Sequence, residues 1–511
     1  MGARSEHGPS RRDRLARRRL LAWAAGTLTA VAAVVFAHRR TRAGETDRTD
    51  GGGAARLDVV DGSGDLLDLE GLRRIQSNGA GRDGWDDQLL TTDTLEVLTH
   101  SPLYEDEEAS AAVDLPDGRP ATLTLSWPTS HGYSALLADI PGPGRHCLAE
   151  LAARALHERQ PPRLTALPAG RTRADVESMR ERTSTALEEC AEAVDPVERA
   201  VRGTRALEAA ATAQLALDEA CRALVPGDAV IGVTFTEPPD SDQVIEATGV
   251  GAGRRRMAAR IVVDDAHDAD ELDSWRSTIA ALHTADALAL VQVCDSRAMA
   301  DLDSHQWDAR VSALIAGLPE ADAWEVGNEL GGSWLGDDVV DKTVRAARAV
   351  RADPATAGAA TVVTLYYQLG QESAEASVLS WARRRLTPEL LAVTDVLGLS
   401  VYPQWHPLGT GADRVISALA EAFPDQRVAL TELGYGGDDL DPGPWWFGSA
   451  QDAAAARAAT ARHLTSAALG REGSWGAPFW WYYLQDEAPG ARGGPVSTTL
   501  AEVAARARGS G

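Results

Sequence analysis

From residue 228 onward the sequence carries eight short apolar runs: 230–235, 259–264, 287–293, 323–328, 361–366, 396–401, 428–431 and 478–483. Stretches long enough for a helix separate them. Such runs read as strands buried on both faces, and parallel strands joined through helices need this spacing. Eight strand–helix units in about 250 residues close into a (β/α)8 TIM barrel. The expected fold class is therefore α/β, with the barrel over 226–511. In that architecture the reacting groups stand at the C-terminal ends of the strands.

Two of these runs lead into glutamates. One reads Trp324-Glu325-Val326-Gly327-Asn328-Glu329-Leu330, the other Val428-Ala429-Leu430-Thr431-Glu432-Leu433. A carboxylate is costly to remove from water, so a strand ending on one points it into a cleft. Glu329 follows the fourth strand and Glu432 the seventh, so both open onto one barrel face. Two carboxylates flanking one bond are the chemistry of glycoside hydrolysis.

Other chemistries lack support. No Gly-rich phosphate loop and no nucleophile elbow occurs, which leaves nucleotide and acyl-transfer readings without a motif. A net charge of −25 argues against a nucleic-acid partner. Cys147, Cys190, Cys221 and Cys294 form no CxxC pair or Cys/His cluster. No metal and no cofactor are therefore expected. One disulfide among the first three cysteines and buried free thiols remain equal alternatives.

The N-terminus carries a membrane signal. Arg11, Arg12, Arg14, Arg17, Arg18 and Arg19 precede an uncharged run over 20–37, and His38-Arg39-Arg40-Thr41-Arg42 follows. That length suits a spanning helix or a long signal core, and the basic flank keeps the N-terminus inside. The region 1–43 is expected to be an uncleaved anchor or a cleaved signal. The rest would then be extracytoplasmic, either membrane-anchored or secreted. Residues 44–56 read as a flexible tether.

Between tether and barrel, 57–144 looks β-rich and sandwich-like. Thr122-Leu123-Thr124-Leu125-Ser126-Trp127 alternates, and Pro116-Asp117-Gly118 marks a turn. Residues 145–225 read as helices, with a break at Asp195-Pro196. A docking or dimerising hairpin and an arm packed against the barrel are both compatible with that pattern.

With these motifs in place, residues 228–506 resemble the large clan of retaining glycoside hydrolases on (β/α)8 barrels, often called clan A. The resemblance implies that Glu329, in the Asn328-Glu329 pair, is the acid/base and Glu432 the nucleophile. It places Arg260 of the second strand and Tyr402 of the sixth beside the nucleophile, and makes Trp480 or Trp481 the floor of a sugar subsite. Leu330 stands where several families of the clan have Pro. Glu329 would be protonated near neutral pH and Glu432 kept charged by Arg260 and Tyr402. Asn328 suits a sugar 2-hydroxyl.

The substrate partner is expected to be a carbohydrate. Fourteen Trp are present against five Phe. Trp334, Trp405, Trp445, Trp446, Trp480 and Trp481 fall in loops or strand ends, where they serve as sugar platforms or as core. His406 is placed to line a subsite, and Asp295 and Gln368 to touch substrate. The acidic groups Asp264-Asp265 and Asp438-Asp439 read as solvated loops. The expected function is an exported retaining glycosidase. A carbohydrate-binding envelope protein without catalysis, or a transglycosylase using the same two glutamates, is the alternative. Oligomeric state is not legible.

Overall fold

The computed structural model describes residues 53–76, 87–222, 228–250, 255–371, 373–435, 452–481, 483–484 and 494–505. The expected membrane segment, the tether up to residue 52, Asp438-Asp439, Trp445 and Trp446 lie outside these. Among the described residues no helix is long and apolar enough to cross a membrane.

Seven strands come first: β1 (Ala54–Asp58), β2 (Gln88–Leu90), β3 (Val97–His100), β4 (Ala111–Asp114), β5 (Ala121–Thr129), β6 (Gly132–Ile140) and β7 (Gly144–Cys147). They form a three-stranded sheet, β4-β1-β7, and a four-stranded sheet, β3-β2-β5-β6. The helices are α1 (Leu69–Gln76), α2 (Leu148–Arg159), α3 (Pro161–Ala166), α4 (Arg171–Glu192) and α5 (Pro196–Cys221). Asp195 caps α5 by accepting from the Glu198 N–H, and Pro196 occupies the first turn, where its missing N–H costs nothing.

The expected division at residue 145 is not a division of the core. Leu57, Val113, Leu123 and Ile140 from both sheets pack in one cluster with Leu148, Ala152, Leu187, Ala206 and Ala210 from α2, α4 and α5. Neither the sheets nor the helices could bury their apolar faces alone, so the two segments are one unit. The helical segment also packs against the barrel, where Arg163 donates to the Gly470 carbonyl at 3.3 Å and pairs with Asp413 at 2.9 Å.

The strands β8 (Val230–Phe235), β9 (Met257–Val262), β10 (Leu288–Gln292), β11 (Ala323–Leu330), β12 (Ala360–Tyr366), β13 (Val396–Val401), β14 (Arg427–Leu433) and β15 (Ser474–Trp480) close into the expected barrel. All eight neighbouring pairs are parallel. β15 begins four residues before the expected run. Gly476 lies just before that run, and a glycine inside a strand weakens the pattern. In the barrel Gly476 instead lets the Val230 side chain come close, since a Cβ there would lie 2.5 Å from it.

Side-chain alternation lays down the barrel interior. Val230, Ala258, Leu290, Ala323, Val362, Val396, Ala429, Trp475 and Phe479 form an apolar plug. Two residues further along β8 to β14 the same face carries Gly232, Arg260, Gln292, Glu325, Thr364, Gly398 and Thr431. The glycines make room: a Cβ on Gly232 would meet the Phe479 ring at 2.4 Å. A polar layer therefore sits on an apolar floor, directly beneath the C-terminal mouth.

The β-rich unit docks on two of the loops around that mouth. His100 Nδ1 lies 2.9 Å from the Gly370 carbonyl, after β12. After β13, the Ala135 N–H donates to the Leu408 carbonyl at 3.2 Å. Nearby the Thr410 N–H donates to Ser134 Oγ at 3.0 Å.

Candidate active site

The polar layer holds a buried charge network. Arg260 donates to Glu325 twice, Nε to Oε2 at 2.7 Å and Nη2 to Oε1 at 3.1 Å. Its remaining nitrogen, Nη1, lies 2.8 Å from Glu432 Oε2. One guanidinium thus joins two carboxylates, and the Arg260 and Glu325 side chains have no exposure at all. Thr364 and Asn328 also donate to Glu325 Oε1. Charge-assisted bonds of this bidentate kind fix orientation as well as charge.

Glu432 receives two further donors. The Tyr402 hydroxyl donates to Oε1 at 2.5 Å, and Asn328 Nδ2 to Oε2 at 3.4 Å. Glu329 stands differently. It accepts from the Ser296 hydroxyl at 2.5 Å and the Ser400 hydroxyl at 2.9 Å. No ion pair to it is found among the described residues. Ser400 is also the register partner of Glu432 on the next strand, which sets the two carboxyls side by side. The β11 register shifts between Gly327 and Leu330, and Glu329 has φ 53°. A side chain held in that left-handed region costs about 1–3 kcal/mol. Gly331, at φ 103°, completes the turn out of the strand.

Burial, and then the charge of Glu432, raises the Glu329 carboxyl to about 8. Burial also raises Glu432, while Arg260 and the Tyr402 hydroxyl pull against it. Only Glu432 has a cation to sustain its charge, so Glu329 holds the pair's proton at neutral pH. A stability effect follows. An unfolded glutamate releases its proton near 4.5 and folded Glu329 near 8, so its contribution is present below 4.5 and is lost as pH rises through 8. In Glu329→Gln that loss disappears. Thermal unfolding from pH 4 to 9 should show the variant's Tm advantage growing with pH, and a difference constant across the range would refute the shift.

Aromatic groups line one side. The Tyr402 and Trp405 rings are 5.1 Å apart, and Trp405 is 37% exposed. Tyr366 meets His406 and Trp334 edge-on, at 5.4 and 4.9 Å. His406 Nε2 lies 2.9 Å from the Tyr366 hydroxyl, and Trp334 Nε1 donates to Ser296 Oγ.

Of the two tryptophans ending β15, Trp481 belongs to the site: the Arg260 guanidinium lies over its ring at 5.2 Å. Trp480 does not. It is fully buried in the core around the barrel, because successive side chains of a strand point to opposite faces. Expecting Trp480 as a substrate contact is thereby corrected. Asp295 caps a short helix by accepting from the Arg297 N–H, and its charge adds to the upward push on both glutamates. Asp265 and Asp268 accept backbone N–H groups at the start of the next helix, as a solvated loop would.

Glu325, Ser296, Thr364 and Tyr366 are functional neighbours that sequence reasoning missed. A signal for Glu325 was present. It is a charge in the interior of an apolar run, two residues from Ala323, and so must face the barrel axis and find a cation there. Arg260, in the middle of another apolar run, is that cation.

No protein-family model matches the chain, and no curated protein matches it. Solved structures with a similar course of chain include a fungal β-1,4-galactanase, 15% identical, with 54% of this chain and 94% of that one aligned at a TM-score of 0.38. A thermostable mutant of a xylanase from Cellvibrio japonicus is 11% identical, over 56% and 99%, with a TM-score of 0.40. The thiamine phosphate pyrophosphorylase of Pyrococcus furiosus is 13% identical, over 55% and 98%, with a TM-score of 0.30. Likenesses this low carry no argument about activity, and the barrel stands on its own strand pairing.

Proposed function

We propose that the chain is a retaining glycosidase acting on a poly- or oligosaccharide. The observation that supports this best is the asymmetry of the two adjacent carboxyls. Glu432 is held by a guanidinium and a phenol, Glu329 by two neutral hydroxyls. One is equipped to stay an anion, the other to keep a proton.

In this reading Glu432 attacks the anomeric carbon as a carboxylate. The glycosidic C–O bond breaks, and Glu329 gives its proton to the departing oxygen. Glu329 then takes a proton from water, whose oxygen displaces Glu432 and restores both groups. A carboxyl separation of about 5–5.5 Å suits this double displacement. Asn328 donates towards Glu432, where a sugar 2-hydroxyl would lie, and Trp481 and Trp405 offer faces for sugar C–H groups. The apolar run over 20–37 supports export, with the barrel outside the membrane.

The test is hydrolysis of a panel of β-linked polysaccharides and oligosaccharides by the full chain, followed by NMR of the first product. The freshly released sugar should keep the anomeric configuration of the substrate. An inverted product would refute the nucleophile role of Glu432, and silence with clear glycan binding would favour a binding protein.

A further inference from the structure

A second cluster of reactive side chains lies outside the barrel, in the β-rich unit. Cys147, Glu150 and Cys190 place their thiols and carboxylate within 4.8 Å of one another, all buried. Cys147 ends β7 and caps α2, where its sulfur accepts the Glu150 N–H at 3.4 Å. Cys190 comes from the last turn of α4. Its thiol lies 3.2 Å from the Arg199 carbonyl and 3.5 Å from Glu150 Oε2. The α5 backbone presses on the first sulfur, since a Cβ on Gly203 would lie 2.4 Å from it.

Two thiols and a carboxylate suggest a cation site, but the carboxylate is already taken. Arg199 donates to Glu150 Oε2 at 2.7 Å and to Oε1 at 3.1 Å, and Arg154 to Oε1 at 2.9 Å. Both oxygens are in use, and two guanidinium groups stand where a metal's charge would have to be tolerated. What is left is a pair of thiols facing each other. Cys221 and Cys294 have no such partner: the first lies against the Arg163 carbonyl and the second in the barrel core.

We infer that Cys147 and Cys190 form a disulfide tying the start of α2 to the end of α4. The bond forms by thiol–disulfide exchange. The Cys147 thiolate attacks one sulfur of a small disulfide donor and releases a thiol. The Cys190 thiolate then attacks Cys147 Sγ of the mixed disulfide and releases the second. Two protein thiols lose their protons, and one donor disulfide is reduced to two thiols. Cys147 is the better attacking group. The hydrogen bond from the Cys190 thiol and the N–H groups at the start of α2 lower its pKa, against the opposing effect of burial.

The full chain, in mild detergent, is equilibrated with oxidised glutathione at a urea concentration below the unfolding midpoint, where local opening admits the reagent. It is then alkylated with iodoacetamide in full denaturant, before and after reduction. The expected mass shows two alkylated cysteines before reduction and four after, with one peptide joining the segments around 147 and 190. Reduction should lower Tm by several degrees in the native sequence and leave Cys147→Ser/Cys190→Ser unchanged. Four alkylated cysteines before reduction, glutathione left on Cys147 or Cys190, or a link to Cys221 would each overturn the assignment.

Discussion

Glu432→Gln should abolish turnover of any glycoside the native chain cleaves, lowering kcat/KM on the order of 10⁴-fold or more, because an amide cannot form the covalent intermediate. The fold should survive. Gln keeps the shape, and Arg260 retains its bidentate bond to Glu325. Glu329→Gln should lose about 10²–10⁴-fold, the usual scale of general acid–base catalysis, and least on substrates whose leaving group needs no proton. Initial rates on an activated aryl glycoside and on its natural-linkage counterpart separate the two roles. Equal losses on both substrates for Glu329→Gln would refute its role as proton donor.

Arg260→Met should be among the most destabilising single changes in the barrel. It leaves the carboxyls of Glu325 and Glu432 buried together without their shared cation, and such a loss costs about 3–5 kcal/mol. Denaturant unfolding of the barrel should report it. The effect should be smaller in Arg260→Met/Glu325→Leu, where one orphaned charge is gone as well. If the two single changes proved additive, the guanidinium would not be the hub of the network.

Much of this was readable beforehand. The eight runs located the barrel because buried parallel strands are apolar on both faces, and two of them, 230–235 and 396–401, match their strands end to end. Glu329, Glu432, Arg260 and Tyr402 converge as their strand positions implied. Three matters were not readable. The start of β15 was hidden by Gly476, which interrupts the apolar pattern but serves close packing here. The choice between Trp480 and Trp481 needed the register of β15, which its first residue determines. The shared core of sheets and helices before the barrel gathers residues far apart in sequence, such as Leu57 and Ala206, into one cluster, which no local pattern announces.

The docking of the β-rich unit has a consequence for how this scaffold could change. Tyr366 ends β12, and Trp405 and His406 follow β13; those two strands lead into the loops that His100, Ser134 and Ala135 hold from outside. In most barrels a mouth loop can be exchanged alone, and new substrates are reached that way. Here the two loops and the docked sheet form a cassette. An exchange of either loop must carry its clasp along, so this wall of the cleft is inherited as a block.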